Sequence, residues 1–175
     1  MGEPAEGLEE TAETSLDDEA GHRLVTELVG AAGDRDAPLI RNLLAEVHPA
    51  DIADCIEQLA RENQELIARL APDVFTGEVL AELAEDTRAG IVSALEPAYI
   101  AEALGGLDSD DMTHVVEELD DDKRAAVLAE LGDEDRQYLE SSLAFEEESA
   151  GRLMQREFVA APSFWTVGNT IDHMR

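Results

Sequence analysis

Residues 107–131 read LDSDDMTHVVEELDDDKRAAVLAEL, with leucines twelve residues apart at Leu107, Leu119 and Leu131. Val115 and Val116 precede Leu119 by four and three residues, which places the three side chains on one face of an α-helix. The acidic runs DSD and DDD that follow the first two leucines are residue types that cap free helix N–H groups and oppose the helix dipole. The stretch therefore predicts short helices, each beginning at an acidic cap.

The same spacing continues on both sides of this stretch. The leucines on the twelve-residue grid are Leu59, Leu83, Leu95, Leu107, Leu119, Leu131 and Leu143, with Ala71 in the one remaining place. Helices of about eight to ten residues are too short to be stable alone, because isolated helices need roughly 12 to 15 residues. We therefore expect an all-α fold, a right- or left-coiling superhelix of about ten short helices in twelve-residue units, each packed on its neighbours.

The chain divides into three predicted parts. Residues 1–20 are acidic and poor in large apolar side chains, which predicts a disordered acidic tail. Residues 21–145 form the superhelical domain. Residues 146–175 break the period and predict a linker, a short strand at 157–161 and a helix capped by Thr166. One strand and one helix cannot bury a core, so this last part is expected to begin a second, truncated domain.

The charge balance excludes several classes of partner. The chain carries 42 acidic and 12 basic side chains, a formal net charge of −30, so binding to nucleic acid is not expected. No stretch approaches the ~18 apolar residues of a membrane span, and the start lacks signal-peptide character, so we expect a cytosolic chain without direct membrane insertion. Lys123 is the only lysine, and this bias is typical of a salt-loving organism, the alternative being a chance acidic surface.

The sequence carries no enzyme signature. It has no GxSxG elbow, no phosphate-binding loop and no Rossmann glycine pattern, and its four histidines lack metal-ligand spacing. Cys55, the only cysteine, shares a helical face with Ile52, Ile56 and Leu59 and is expected to be buried. What remains is carboxylate, which suits Mg²⁺ or Ca²⁺, although no EF-hand pattern occurs. Composition alone leads only to an acidic helical-repeat domain.

A family resemblance narrows the prediction. The stretch LLAEVHPADIAD at 43–54, the twelve-residue units, and SAGRLMQREFVA at 149–160 followed by WTVG at 165–168 resemble the cytosolic N-terminal region of MgtE-type magnesium transporters. The resemblance runs from about Leu39 to Arg175. In that family a superhelical N domain leads, through an Ala-Gly-x-Leu-Met junction, into a pair of CBS domains and a transmembrane channel. It implies that 146–175 contain the beginning of the first CBS domain.

The resemblance also implies a function. In the family, Mg²⁺ ions between acidic faces of the N domain and the CBS domains favour the closed state. The N-domain ligands map onto Glu78 and onto Asp110 with Asp111 beside it. The implied partners are Mg²⁺, the CBS pair and the transmembrane domain of the same transporter, in a homodimer of the full-length protein.

Two residues depart from the family pattern. His114, one turn past Asp110, is not a carboxylate, and Arg152 stands where relatives often have a second glycine. The twelve-residue repeat alone is less specific, since similar short-helix superhelices occur in the flagellar motor-switch protein and other scaffolds. The alternative function is therefore a stand-alone acidic helical-repeat scaffold that binds a protein partner.

Overall fold

Short α-helices joined by tight connections make up the described chain. A computed structural model describes residues 18–146, 149–152, 154–155 and 161–174. Within these ranges it contains eleven α-helices, one 3₁₀ helix and no strand. The α-helices are α1 (Asp18–Gly33), α2 (Ala37–Leu44), α3 (Pro49–Glu57), α4 (Arg61–Leu70), α5 (Gly77–Glu82), α6 (Glu85–Ala94), α7 (Pro97–Leu104), α8 (Ser109–Glu117), α9 (Asp121–Glu130), α10 (Asp133–Leu143) and α11 (Val167–His173), and the 3₁₀ helix is Pro72–Val74.

Two sequence predictions fall mostly outside the described residues. The strand predicted at 157–161 does so except for Ala161, and so does the acidic tail up to residue 17. The first helix begins at Asp18, before His22, where the apolar pattern begins. The helix predicted after Thr166 is confirmed, since the hydroxyl of Thr166 accepts a hydrogen bond from the Asn169 N–H at 3.3 Å.

The starts of the helices follow from their sequences. Asp36 and Asp120 are N-caps, and their carboxylates accept hydrogen bonds from Leu39 N and Lys123 N at 3.0 and 2.8 Å. Pro49 and Pro97 begin α3 and α7, where a missing N–H has no cost because the first turn has no intrahelical acceptor. The acidic and proline-containing breaks therefore set the length of each helix.

The repeat supplies the core. Of the grid residues, Leu59, Ala71, Leu83, Leu95, Leu119 and Leu131 are buried, whereas Leu107 and Leu143 are half-buried. Cys55 is 2% exposed, which confirms its predicted burial. This burial raises the pKa of the thiol, and the nearby carboxylates of Asp51 and Asp54 raise the pKa further. No helix in the described ranges is both long and apolar enough to cross a membrane.

The helices fall into two compact units. The first comprises Met1–Phe75 and Glu82–Ala94, where α1 packs against α2, α3 and α4, and α4 packs against α6. The second comprises Thr76–Ala81 and Leu95–Arg175, where α7 packs against α9 and α8 against α10. The predicted metal ligands all belong to the second unit.

Candidate metal site

Glu78 stands in the first turn of α5 and is exposed, while its neighbour Val79 is buried. Gly77 begins this helix in a very tight place. A Cβ built there would lie 2.5 Å from the carbonyl oxygen of Ala103 and 3.0 Å from Cγ of Leu107. Only glycine fits without displacement, and its contacts hold the start of α5 against the connection between α7 and α8.

Asp110 and Asp111 lie in the first turn of α8. Asp110 is half-buried and Asp111 is exposed. The side-chain amide of Gln155 donates to both carboxylate oxygens of Asp110 at 3.0 Å. The carboxylate of Asp110 therefore has a neutral partner from a segment 45 residues further along the chain.

The first turns of α5 and α8 lie in the same part of the second unit. Leu107, which contacts Gly77, lies one residue before the N-cap of α8. However, no group of three or more His, Cys, Asp or Glu side chains within the described residues is arranged to hold a metal ion. Magnesium usually keeps several waters and takes one or two carboxylates, so it does not require a group of three.

The departure at His114 places an imidazole ring, instead of a carboxylate, in the last turn of the same helix. His114 is exposed, and its Nδ1 lies 3.8 Å from Oε2 of Glu117. Glu117 also pairs with Arg152, whose side chain is only 10% exposed. Sequence reasoning did not find this pair, because the two residues are 35 positions apart and carry no motif.

Arg152 forms the centre of the segment that follows α10, residues 149–155, which we call the junction; residue 153 lies outside the described residues. Its guanidinium donates to the carbonyl oxygens of Leu143 and Phe145 at 2.8 and 2.7 Å, and its Nε donates to the carboxylate of Glu117. The carbonyls at the end of a helix lack intrahelical donors, so Arg152 satisfies the end of α10 with a charged group that also suits the dipole.

Elsewhere in the junction, Gly151 packs closely on Phe145, whereas Met154 and Gln155 are exposed. A Cβ at Gly151 would lie 2.8 Å from Cδ1 of Phe145, which explains a glycine beside Arg152. The Tyr138 hydroxyl donates to Met154 O at 3.3 Å, and Met154 itself is 64% exposed. A cavity of about 250 Å³, lined by Tyr138, Gly151, Met154 and Gln155 among others, lies beside these two residues. Met154 and Gln155 are therefore loosely packed, whereas Arg152 is tightly held.

Other carboxylates are already neutralised by arginine. The hydrogen bond from Arg41 holds the pKa of Asp73 below its usual value, and hydrogen bonds from Arg61 and Arg69 do the same for the pKa of Glu65. A cation that binds these groups must compete with a guanidinium. At Asp110 it meets the neutral amide of Gln155 instead.

Fold and side chains together define an acidic helical-repeat domain, and most of its described helices carry a carboxylate in the first turn. Residues 47–148 match the family described as the MgtE intracellular N domain. This match covers more than half of the chain, so the chain belongs to that family. It confirms the resemblance and the intracellular location that the sequence predicted.

The relatives support the same assignment. The magnesium transporter MgtE of Thermus thermophilus is 28% identical over 156 residues, which are 87% of this chain and 35% of that protein. The cytosolic domain of the Mg²⁺ channel MgtE, solved in complex with ATP, is 26% identical with a TM-score of 0.67, covering 86% of this chain and 62% of that one. The soluble part of a magnesium transporter gives a TM-score of 0.61 at 20% identity, covering 87% and 63%, and shows the fold alone.

These matches confirm the predicted all-α fold class. This chain spans 35% of the length of the curated relative. The predicted beginning of a CBS domain remains a prediction.

Proposed function

We propose that this chain is the Mg²⁺-sensing regulatory domain of a magnesium transporter. Mg²⁺ binds through Glu78, Asp110 and Asp111 where the domain meets the CBS domains of the same transporter, and its binding favours the closed state. The transmembrane domain conducts the ion, and the full-length protein is a homodimer. Because acidic faces repel one another until a divalent ion bridges them, occupancy by Mg²⁺ biases the arrangement of the domains.

One observation carries the proposal. Gly77 seats the first turn of α5 against the connection that leads into α8, so the helix starts that bear Glu78 and Asp110 belong to one part of the unit. Both first turns present carboxylates, and Asp110 has a neutral partner. An ion that keeps most of its water shell needs only one or two such groups from this side and takes the remainder from a docked domain.

The test is a Mg²⁺ titration followed by ¹⁵N–¹H NMR on this 19.0 kDa chain. Backbone amides at 77–79 and 109–111 are expected to shift at millimolar Mg²⁺, and Glu78→Ala with Asp110→Ala is expected to weaken the response several-fold. The matched control is Glu62→Ala with Asp86→Ala, which removes two carboxylates from the first turns of α4 and α6. Equal responses of the two double variants would contradict the site.

Salt separates contact binding from general attraction to an acidic surface. At about 1 M KCl the Debye length is about 3 Å, so the −30 charge no longer concentrates cations over a distance. A contact site still responds to Mg²⁺ there, and Asp111→Ala tests whether the neighbouring carboxylate contributes. A response that disappears in 1 M KCl for every variant would contradict direct coordination.

The scaffold hypothesis makes a different prediction. A reading frame that continues past Arg175 into CBS domains and membrane spans supports the sensor, whereas a stop codon there favours the scaffold. In a chain extended through the CBS pair, Mg²⁺ is expected to protect the domain from proteolysis.

A further inference from the structure

The junction contacts both ends of α8. Gln155 reaches Asp110 in the first turn, and Arg152 reaches Glu117 at the last residue. The seven residue steps from Asp110 to Glu117 rise about 10.5 Å along a helix. Three steps of extended chain reach about 10–11 Å, and the two side chains add to this reach, so the chain from Arg152 to Gln155 is long enough to contact both ends.

The contact at Arg152 is strong. The residue is 9% exposed, and its guanidinium is shared between the Glu117 carboxylate and two carbonyl oxygens. Moving Arg152 away leaves the half-buried carboxylate of Glu117 unpaired, and it leaves the carbonyls of Leu143, at the end of α10, and of Phe145 without this donor. Separation is therefore costly. In addition, the Arg152 N–H donates to Ser149 O at 3.0 Å, which closes the turn around it.

The contact at Gln155 is weak by comparison. Gln155 is exposed, its amide is neutral, and the neighbouring Met154 packs over a partly open cavity. Its two hydrogen bonds occupy both oxygens of Asp110. A cation at Asp110 needs one or both of the same oxygens, so the amide and the ion compete.

We propose that the junction holds α8 at two points. Arg152 makes the permanent contact, which we call the fixed point, and Gln155 makes a replaceable contact, the placeholder, which a divalent cation at Asp110 displaces. The role of Gln155 as a placeholder rests on the proposed function. Cation binding then frees the chain beyond Arg152, while Arg152 continues to hold it at the end of α10. Arg152 is accordingly a positioning residue, which sets where the following chain turns.

Trypsin tests the fixed point, because it cleaves after Arg152 only when that side chain leaves its place. We expect Glu117→Gln to raise the rate of cleavage after Arg152 at least about tenfold, because it removes the charged partner. Cleavage after Arg136, within α10, serves as the reference for opening of the whole unit and is expected to change little. Glu130→Gln is the control of equal charge change at the exposed end of α9.

Two results would overturn the fixed point. One is an unchanged rate after Arg152 in Glu117→Gln. The other is an equal rise after Arg136 and Arg152, which would mean that Glu117 only stabilises the unit. If Glu117→Gln does not fold, Arg152→Lys gives the same readout, since trypsin also cleaves after lysine and an ammonium cannot reproduce the guanidinium's three-way contact.

The NH₂ signals of the Gln155 side chain test the placeholder, and Gln155→Ala assigns them by their loss. Mg²⁺ is expected to move these signals, and Asp110→Asn is expected to abolish the movement. Gln155→Ala is expected to tighten Mg²⁺ binding about threefold to tenfold, the size of one net hydrogen bond. Gln137→Ala, an exposed glutamine on α10, is the matched control and is expected to leave binding unchanged.

The outcomes separate this inference from the proposed function. If Mg²⁺ shifts residues 109–111 but neither moves the Gln155 signals nor binds more tightly to Gln155→Ala, the placeholder is wrong and the metal site stands. If Mg²⁺ moves nothing at 109–111, the proposed function fails, and the placeholder with it. The trypsin result decides the fixed point in either case.

Discussion

The two units use arginine in different ways. In the first unit, Arg41 and Asp73 form a 2.8 Å ion pair whose side chains are 41% and 48% exposed. In the second unit, the guanidinium of Arg124 donates to Val116 O at 3.1 Å and Leu119 O at 2.8 Å, so it caps the end of α8. Arg152 does the same for α10. In the first unit, Arg41 and Arg88 also donate to carbonyls near helix ends, those of Leu70 and Leu83, but at 3.4 and 3.3 Å. The shortest such bonds of Arg124 and Arg152 are 2.8 and 2.7 Å, so the second unit depends on arginine more strongly at its helix ends.

This difference shows where arginine contributes most to stability in a chain with only 12 basic side chains. An exposed ion pair contributes about 0–1 kcal/mol, because water and salt screen it. A buried guanidinium that satisfies several carbonyls is harder to replace, and its five fixed donors explain why arginine rather than lysine stands there. In the first unit the corresponding place at the end of α3 is filled by a neutral amide, that of Gln64.

The strongest test of the comparison is Arg152→Ala. We expect a loss of about 3 kcal/mol in the free energy of unfolding, because Glu117 and two carbonyls lose their partner. Urea denaturation measures the loss, and hydrogen exchange at 138–145 locates it in the second unit. A loss below about 1 kcal/mol, the value for an exposed pair, would remove the distinction between the units.

The second test is Gly77→Ala, with Gly30→Ala as its counterpart in the first unit. A Cβ at Gly77 meets a backbone oxygen at 2.5 Å, so we expect a loss of about 2 kcal/mol from the forced displacement. At Gly30, within α1, nothing lies within 4 Å, and alanine is expected to stabilise by about 0.5–1 kcal/mol. Thermal unfolding of both variants measures the opposite signs, and equal signs would contradict the tight approach.

The third test asks what the neutral cap in the first unit contributes. Gln64→Met keeps the length of the side chain but cannot donate to Ile56 O and Leu59 O, now bonded at 3.0 and 3.2 Å. We expect a loss of about 1–2 kcal/mol, smaller than that of Arg152→Ala, because no charge is stranded. Urea denaturation beside Glu62→Met, an exposed change in the same helix, gives the difference.

Most of the fold could be predicted from the sequence, because the signals that set the helix starts and ends are local. Twelve-residue spacing, acidic caps and proline starts act within one or two turns, and so the short helices and the burial of six grid residues could be predicted. The half-burial of Leu107 and Leu143 could not be predicted, because Leu143 is the last residue of the grid but Leu107 lies in its middle. The division into two units has no such local signal, since it depends on which helices pack together.

The site was less accessible to sequence reasoning for the same reason. The positions of Glu78 and Asp110 in first turns follow from the helix starts. The contact of Gln155 with Asp110 spans 45 residues, and that of Arg152 with Glu117 spans 35. In the sequence, Arg152 stands out only as a departure from the family's second glycine. Its role depends on the end of α10 and the end of α8 meeting, which neither helix encodes alone.

The smallest expected effect is that of the exposed pair in the first unit. Arg41 holds the pKa of Asp73 below its usual value of about 3.9, so the pair stabilises the fold above that pH. Its contribution is lost as the pH falls through the lower pKa of the folded state. We expect Asp73→Asn to cost less than about 1 kcal/mol at pH 7 and nothing in stronger acid, with Asp34→Asn as the control of equal charge change.

Urea denaturation from pH 7 to below about pH 3 measures the difference. A cost that grows in acid would have the wrong sign, and one at pH 7 as large as that of Arg152→Ala would show that exposure does not separate the two kinds of arginine.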